Sequence, residues 1–317
     1  KTHIQALDLF LAYATSKKIR VVLEYHSIAF LESGNSTPPS RWLWRTPNNS
    51  PSQGGNINPW KSDWEFLANR YRDNTIFSAI GYGDYSYIVG ADLFNEPRKG
   101  DTLQEWFADA QTCGNAVLVK NPNWLIIVEG REMNSTIRRQ SQEAIQEKYG
   151  VTVDVNIITE CWSYGGSLFG LNNSTKITLN TENRLVYSVH FYSQANSDTR
   201  RNLILDNFEQ LEYVFDVHWG FVFREMNTPL YIGECGDDPK NPYLKQLFSY
   251  LMKYLDGDYN GDGTRELDSN KKGISFTQWS YAAGNSSHTQ SILDKNSSPI
   301  KWSYSLPSDP TNSIYEG

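Results

Sequence analysis

The stretch Ile88-Val89-Gly90-Ala91-Asp92-Leu93-Phe94-Asn95-Glu96-Pro97 decides the fold class of this chain. It begins as a nearly continuous apolar run, which is typical of a strand buried on both faces of a parallel sheet. Pro97 cannot extend a β-ladder and favours an extended backbone at the residue before it. The stretch therefore predicts a core strand whose carboxyl end carries an amide, Asn95, and a carboxylate, Glu96.

Outward from this strand, strand-like and helix-like segments alternate along the chain. The strand-like segments are short apolar runs, and most of them are separated by segments with the apolar spacing of a helix. Alternation of this kind predicts βαβ units, a parallel sheet and an α/β fold. The predicted strands are 19–26, 87–94, 123–128, 184–191, 229–233 and 273–281, and the predicted helices are 4–16, 62–71, 101–119, 137–149, 203–215, 220–226 and 242–255.

Composition and length exclude several classes of protein. The net charge of the 317-residue chain is −7, which argues against a phosphate-binding or nucleic-acid-binding role. No glycine-rich phosphate fingerprint follows a predicted strand, and no apolar run approaches the ~18 residues of a membrane span. We therefore expect no nucleic-acid partner and no membrane insertion. The length suits an α/β barrel, which commonly runs to about 200–250 residues as one domain.

Two features bear on the compartment and on processing. Asn-x-Ser/Thr sequons are frequent, which favours a secreted glycoprotein over a chance product of an Asn- and Ser-rich composition. The chain begins Lys1-Thr2-His3-Ile4, without an initiator methionine or a signal-peptide pattern, so we expect a processed start or a fragment. The three cysteines have no metal-binding spacing, and an odd number cannot all pair. The sequons begin at Asn35, Asn48, Asn134, Asn172, Asn173, Asn285 and Asn296.

Polar side chains stand at the carboxyl ends of several predicted strands. If these strands line one barrel, the side chains converge on its top face, where such folds carry their chemistry. Glu96 and Glu234, which are 138 positions apart (234 − 96), would then face each other across a cleft. The set comprises His26, Asn95, Glu96, His190, Tyr192, Glu234 and Trp279.

Two facing carboxyl groups suit the cleavage of a glycosidic bond. One serves as a protonated acid and the other as an ionised nucleophile or base. Histidine and tyrosine at neighbouring strand ends can set these protonation states, Asn95 can donate to a sugar 2-hydroxyl, and Trp279 offers a flat face to a sugar ring. Taken singly, each residue also has a structural explanation, and the spacing alone leaves other barrel enzymes open.

The motifs at these strand ends resemble those of glycoside hydrolase family five, the retaining cellulase-type family. Asn95-Glu96-Pro97 resembles its acid/base motif. Ile232-Gly233-Glu234-Cys235-Gly236 resembles its nucleophile motif, with Cys235 where an aromatic residue is usual. The resemblance covers nearly the whole chain in order. Further matches are His26, His190 with Tyr192, Trp279, the segment 123–130 and Tyr164-Gly165-Gly166.

The resemblance implies a (β/α)8 TIM barrel. The predicted strands match strands three to eight of the family, whereas strands one and two, with the arginine that orients the nucleophile, have no counterpart. We therefore expect residues 1–317 to form a single catalytic domain that is incomplete at its N-terminus. Such a piece would leave two sheet edges unpaired, which is a liability for a sheet.

The same resemblance implies a retaining endo-β-1,4-glucanase that cleaves cellulose or related β-glucans by double displacement. Glu234 would be the nucleophile and Glu96 the acid/base, no cofactor is required, and we expect a secreted monomer. The alternatives are a β-mannanase, a β-1,3-glucan hydrolase and, from another class, a non-catalytic carbohydrate-binding relative or an inactive fragment. The expected substrate-binding residues are His26, Asn95, His190, Tyr192 and Trp279, with Trp44 and Tyr164 as platforms for further sugar rings.

A second motif lies outside the predicted active site. Counted from Asp258, positions one, three, five and six of the segment match an EF-hand-type calcium loop. Oxygen ligands and a turn glycine are what such a loop requires. Position 12 is Ser269 instead of glutamate, so Asp268 is the expected substitute. The predicted ligands are Asp258, Asn260, Asp262 and Thr264, and the alternative is a simple Asp/Asn/Gly turn.

Overall fold

The computed structural model describes residues 2–26, 57–83, 85–97, 102–161, 163–195, 197–236, 241–279, 305–306 and 309–313. None of the described helices is both long and apolar enough to cross a membrane. The helices are α1 (His3–Ser16), α2 (Asn58–Arg70), α3 (Thr75–Ala79), α4 (Leu103–Lys120), α5 (Ser135–Tyr149), α6 (Val155–Ile158), α7 (Asp198–Leu205), α8 (Phe208–Phe215), α9 (Phe221–Arg224) and α10 (Pro242–Asp256). The strands are β1 (Val21–Glu24), β2 (Ile88–Asp92), β3 (Leu125–Glu129), β4 (Leu185–Phe191), β5 (Leu230–Cys235), β6 (Ser275–Gln278), β7 (Ser305–Leu306) and β8 (Asp309–Ser313).

Within the described residues, six strands form one sheet in the order β1-β2-β3-β4-β5-β6, and β7 and β8 form a separate antiparallel pair. The pairings of β1 with β2, β2 with β3, and β5 with β6 are parallel. Parallel strands with intervening helices confirm the predicted α/β class. The contacts divide the chain into two compact units, which are residues 1–130 with 170–187 and residues 131–169 with 188–317.

β2 lies in the core of the first unit. Ile88 and Ala91 are buried, and Gly90 pairs with Leu125 of β3. A Cβ at position 90 would lie 2.5 Å from the Leu125 carbonyl oxygen, so the close approach of the two strands requires glycine. The apolar run of the sequence therefore forms the buried strand that it predicts.

α2 begins earlier than the helix predicted over 62–71 and includes Trp60, which lies outside that predicted helix. Its first turn contains Pro59, whose fixed φ suits the start of a helix. Trp60 and Trp64 are one turn apart and both are buried. The ring centroids of Phe94 and Trp106 lie 6.5 and 6.0 Å from that of Trp60. Trp60 is therefore a core residue of the first unit.

A buried ion pair joins α1 to α2. The Arg70 guanidinium donates to both carboxylate oxygens of Asp8, at 2.8 and 2.6 Å, and the Tyr71 hydroxyl donates to Asp8 at 2.9 Å. The hydrogen bond from Arg70 is the largest influence on Asp8, and it lowers the pKa of this carboxyl although burial opposes it. The pair therefore fixes the helix that precedes β1 against the helix that follows the strand.

In the second unit, the single helix predicted over 203–215 is divided in two. α7 ends at Leu205 and α8 begins at Phe208, and α8 then continues into a buried π-helical turn, Asp216–Gly220. The hydroxyl of Tyr254 lies against Gly220, which leaves no room for a side chain there. Because a π-turn adds one residue to the helical period, the apolar pattern of the sequence does not reveal it.

Candidate active site

The point where the chain leaves β2 is fixed by hydrogen bonds in the core. The Leu93 N–H donates to the main chain of β3 at 3.1 Å. The Leu93 carbonyl accepts from the indole N–H groups of Trp60 and Trp64, at 2.8 and 2.9 Å. A carbonyl oxygen has two lone pairs, and here both are occupied. The three residues that follow, Phe94, Asn95 and Glu96, therefore start from a defined position.

Glu96 lies at the end of this strand, as predicted, but its backbone is not extended. Its φ is +51°, in the left-handed region that residues with a Cβ rarely adopt. The expectation that Pro97 favours an extended conformation is therefore wrong for this residue. The Glu96 N–H donates to Glu129 Oε2 at 2.9 Å, which holds the unfavourable conformation. Strain of this kind is frequently found at functional sites.

Glu129 is a site residue that the sequence analysis missed. It ends β3 and is fully buried, and its main-chain carbonyl accepts from the Trp106 indole at 2.8 Å. Its signal was present in the sequence, since it is a carboxyl group next to the end of a predicted strand, as Glu96 and Glu234 are. Because it contacts the main chain of Glu96, Glu129 is a positioning residue.

His26 and Asn95 meet beyond the ends of β1 and β2. The Asn95 N–H donates to the Tyr25 carbonyl at 3.1 Å. The Asn95 side-chain nitrogen lies 3.4 Å from His26 Nε2, and His26 Nδ1 lies 3.1 Å from Glu24 Oε1. With an amide donor at Nε2, the ring carries its proton on Nδ1 and donates it to Glu24. The first unit thus places His26, Asn95 and Glu96 at neighbouring strand ends.

Glu234 lies near the end of β5 and has two polar neighbours within the second unit. The Tyr192 hydroxyl donates to Glu234 Oε2 at 2.8 Å. The Nδ1 atom of His190, a buried residue of β4, lies 3.6 Å from the same oxygen. A hydroxyl donor favours the ionised form of a carboxyl group. The arrangement therefore suits a carboxylate that acts as a nucleophile.

The close approach of Gly233 to β4 determines how Glu234 meets these neighbours. A Cβ at position 233 would lie 2.6 Å from Ser188 Oγ and 3.1 Å from His190 Nε2. Any side chain at this position would force the Ser188 hydroxyl to turn away and would press on the imidazole. The glycine before the predicted nucleophile therefore has a steric role in the site.

The main chain of Tyr192 is held by Ser163. The Tyr192 N–H donates to Ser163 Oγ at 3.1 Å, and the Ser163 hydroxyl donates to the Tyr192 carbonyl at 3.3 Å. Tyr164, the predicted platform, follows Ser163 directly and is 42% exposed. The loop that carries Tyr164 is thus tied to the residue that contacts Glu234.

Glu160 supports the next residues of the same segment. Its Oε2 atom accepts from the Ser193 hydroxyl at 2.8 Å and from the Gln194 N–H at 3.2 Å. Burial raises the pKa of Glu160, although these hydrogen bonds oppose the change. The sequence analysis gave no role to Glu160, which does not lie at a strand end.

Trp279 follows β6 and is positioned by β5. Its N–H donates to the Cys235 carbonyl at 2.8 Å, and the side chain is 38% exposed, as a platform for a sugar ring requires. Cys235 is a buried cysteine whose thiol donates to the Thr277 carbonyl, with 3.6 Å between the sulfur and the oxygen. It therefore occupies a packed position where the resemblance led us to expect an aromatic residue. Trp44 lies outside the described residues.

The fold and the strand-end residues define a class of protein. Parallel strands with carboxyl, imidazole and phenol groups at their carboxyl ends are typical of α/β enzymes, which carry their chemistry at that edge of the sheet. Comparison with known families makes the assignment specific. The chain belongs to the cellulase family, glycosyl hydrolase family 5, whose profile matches residues 1–285.

Curated relatives agree with this family. The chain is 30% identical to an endoglucanase of Paenibacillus polymyxa over 239 residues, which are 74% of this chain and 49% of that protein. It is 24% identical to endoglucanase G of Acetivibrio thermocellus over 279 residues, which are 80% of this chain and 45% of that protein. The chain therefore spans about half the length of the curated relatives it matches.

Solved structures agree with the fold. The endocellulase of Pyrococcus horikoshii in complex with cellotetraose matches with a TM-score of 0.63 at 22% identity, over 94% of this chain and 70% of that chain. The catalytic domain of the major endoglucanase from Xanthomonas campestris pv. campestris matches with a TM-score of 0.57 at 23% identity, over 94% and 70%. The described strands are thus part of a (β/α)8 TIM-barrel fold, which confirms the prediction.

Proposed function

We propose that this chain is a retaining endo-β-1,4-glucanase domain. One observation carries the proposal. In a chain of glycosyl hydrolase family 5, Glu234 at a strand end accepts a hydrogen bond from the Tyr192 hydroxyl beside the buried His190. Glu96 supplies the second carboxyl group of the proposed mechanism, and its main chain is held by Glu129.

The proposed reaction has two steps. In the first, a Glu234 oxygen attacks the anomeric carbon, and the bond to the leaving oxygen breaks as Glu96 gives that oxygen its proton. This step leaves a glycosyl ester on Glu234. In the second, Glu96 takes a proton from water, whose oxygen attacks the same carbon and releases Glu234 as a carboxylate. Retention of configuration requires the two carboxyl groups to be about 5–5.5 Å apart.

The neighbouring polar groups have separate parts in this reaction. The hydroxyl of Tyr192, 2.8 Å from Glu234, stabilises the ionised nucleophile before attack. An amide nitrogen carries two N–H groups. One N–H of Asn95 contacts His26, 3.4 Å away, and the other can donate to a sugar 2-hydroxyl. Such a contact strengthens in the transition state.

The proposed substrate class is a β-1,4-glucan. The support for it is that the endocellulase of Pyrococcus horikoshii was solved with cellotetraose. In this chain, Trp279 and Tyr164 offer exposed aromatic faces on which sugar rings can stack. β-Mannans and β-1,3-glucans are the rival substrates, because the same catalytic groups would act on them.

A substrate panel tests the proposal. The full-length protein is assayed on carboxymethylcellulose, β-mannan and laminarin, and the first product anomer is identified by NMR. We expect the cellulose derivative to be cleaved fastest, with an early loss of viscosity and the β-anomer first. Faster cleavage of mannan or laminarin would show that this polysaccharide, instead of the β-1,4-glucan, is the preferred substrate. Formation of the α-anomer first would show an inverting mechanism instead of a retaining one. Binding of cello-oligosaccharides without cleavage would indicate a non-catalytic relative.

We also propose that the protein acts outside the cell. Its support is the density of sequons and a Xanthomonas campestris relative named the major extracellular endoglucanase, which is 30% identical over 135 residues. Detection in the culture medium of the source cells, with a lower apparent mass after removal of N-glycans, tests the proposal. Retention inside the cells would refute it.

A further inference from the structure

The segment that connects α10 to β6 brings three carboxyl groups together. One carboxylate oxygen from each of Asp258, Asp262 and Glu266 lies within 4.8 Å of the other two. Three negative charges in so small a space repel one another, although water screens Asp262 and Glu266, which are exposed, whereas Asp258 is buried. A positive charge close to the cluster would offset this repulsion.

Asp258 provides an independent sign that something binds here. The residue is only 1% exposed. Its Oδ2 atom accepts from the Gly263 N–H at 3.0 Å. Its Oδ1 atom is buried and has no hydrogen-bond partner within the described residues. A buried carboxylate oxygen without a partner is costly, and a bound cation would remove that cost.

The other two carboxylates are each held through one oxygen by the main chain of the same loop. Glu266 Oε2 accepts from the Tyr259 N–H at 2.7 Å, and Asp262 Oδ1 accepts from the Thr264 N–H at 2.7 Å. In each case a backbone amide fixes the carboxylate. The other oxygen of Asp262 accepts from the Asn260 side-chain nitrogen at 3.3 Å, a contact that a bound ion would replace. The ligand atoms are thus oriented before any ion binds.

Basic side chains near the loop do not neutralise the three carboxylates by direct contact. Lys253 donates from Nζ to the Gly261 carbonyl at 2.9 Å. Arg265 donates to the carbonyls of Asp256, Leu267 and Lys271. Both side chains contact main-chain oxygens around the loop. In the described part of the chain, neither forms an ion pair with the three carboxylates.

We propose that residues 258–266 bind one calcium ion through Asp258, Asp262 and Glu266. The side-chain oxygen of Asn260 and the carbonyl of Thr264 complete the set that the sequence predicts. Glu266, at position nine counted from Asp258, supplies the third carboxylate of the cluster. The sequence predicts Asp268 for this role. Asp268 instead accepts from the Asn270 N–H at 2.9 Å. A site built largely of protein oxygens suits Ca²⁺ better than Mg²⁺, which keeps several waters.

The bound ion stabilises the connection into the last strand of the six-stranded sheet. α10 ends at Asp256 and is capped by Gly257, whose φ is +101°, and the loop leads to β6, which precedes Trp279. Binding of an ion to the folded loop alone raises the stability of the folded chain by mass action. The inference is independent of the glucanase proposal, because a structural ion has no part in the bond cleavage.

Thermal unfolding of the full chain tests the site. After treatment with a chelator and its removal, added Ca²⁺ is expected to raise the Tm by about 3 °C or more, and Mg²⁺ at the same concentration by much less. Titration calorimetry is expected to give one Ca²⁺ per chain. Tb³⁺, a calcium surrogate, is expected to luminesce on excitation of tyrosine, since Tyr259 lies within the loop.

The variant Asp258→Asn keeps an oxygen for the Gly263 N–H and removes the charge. We expect it to lose the calcium-dependent rise in Tm, and in chelator to be at least as stable as the wild type because the repulsion is weaker. Asp198→Asn, at a carboxyl that is 90% exposed on α7, is the matched control and should keep the full response. If Asp258→Asn does not fold, Glu266→Gln takes its place.

Three outcomes would overturn the inference. They are a wild-type chain without any calcium-dependent change in Tm or heat of binding, an equal response in Asp258→Asn, and an equal or larger response to Mg²⁺. A buried water molecule beside Asp258 Oδ1, instead of an ion, would give the first of these.

Discussion

At the residue scale, the main chain of Glu96 places its side chain. A φ of +51° costs a residue with a Cβ about 1–3 kcal/mol. A hydrogen bond from its N–H to the buried Glu129 side chain offsets about 0.5–1.5 kcal/mol. The two magnitudes are comparable, so the conformation of the proposed acid/base depends on a buried residue that is not itself proposed to touch the substrate.

Replacement of Glu129 tests this dependence. In Glu129→Ala the N–H of Glu96 loses its acceptor, and we expect kcat on a β-glucan to fall about 10- to 100-fold with little change in KM. Glu129→Gln keeps an acceptor oxygen and should restore part of the loss. Steady-state kinetics of the two variants make the measurement, with circular dichroism to confirm folding. An unchanged kcat in Glu129→Ala would show that the contact does not position Glu96.

A methyl group at position 233 tests the steric role of that glycine. Gly233→Ala places a Cβ 2.6 Å from Ser188 Oγ and 3.1 Å from His190 Nε2, so the Ser188 hydroxyl must turn away and the imidazole beside Glu234 must shift by a few tenths of an ångström. We expect kcat to fall at least tenfold and the Tm to fall by a few degrees. Gly83→Ala is the matched control, because a Cβ there meets nothing within 4 Å. Equal activities of the two variants would contradict the argument.

At the scale of elements, α1 and α2 are joined by one buried ion pair. Asp8 accepts from both Arg70 and Tyr71, so its carboxylate serves three hydrogen bonds at once. Removing one partner of a buried pair leaves the other charge without compensation. The helix contact therefore depends strongly on a single side chain.

Asp8→Asn is expected to lower the free energy of unfolding by about 2–4 kcal/mol. Glu143→Gln removes the exposed pair with Arg139, in which both side chains are more than 60% exposed, and should change it by less than about 0.5 kcal/mol. Urea unfolding at neutral pH measures both. A loss in Asp8→Asn as small as that of the control would show that the pair is not stabilising.

The same pair predicts a dependence on pH. The folded pKa of Asp8 lies below its unfolded value, so its contribution is present above the unfolded pKa and is lost as the pH falls through the folded pKa. The difference in stability between the wild type and Asp8→Asn should therefore shrink as the pH falls below about 4. A difference that stays constant down to pH 2 would mean that Asp8 does not titrate as described.

At the scale of the whole molecule, the proposed chemistry relies on two residues that are far apart in the chain. If Glu96 and Glu234 serve one reaction, each single variant, Glu96→Gln and Glu234→Ala, should lower kcat at least 10³-fold, and the double variant should lose little more. Hydrolysis of a cellulose derivative measures all three. Losses that multiply in the double variant would show that the two carboxyl groups act independently.

The parts of the molecule that could be predicted from sequence are those with a local signature. The apolar run before Glu96 and the short run before Glu234 predicted strands, because a strand buried in a parallel sheet requires apolar side chains at consecutive positions. The contact of Glu129 with Glu96 was missed, since it joins positions 33 residues apart. The place of Trp60 in the core was missed as well, because Pro59 looked like part of a loop when it begins a helix.

The two indoles that share the Leu93 carbonyl bear on how this family member can change over evolutionary time. Trp60 and Trp64 donate to one acceptor, at 2.8 and 2.9 Å. Loss of either tryptophan leaves the carbonyl with a donor, whereas loss of both leaves a buried oxygen unsatisfied. The carbonyl therefore tolerates the loss of one indole but not of both, and a lineage that has replaced one tryptophan with a residue that fills the same space is constrained to keep the other.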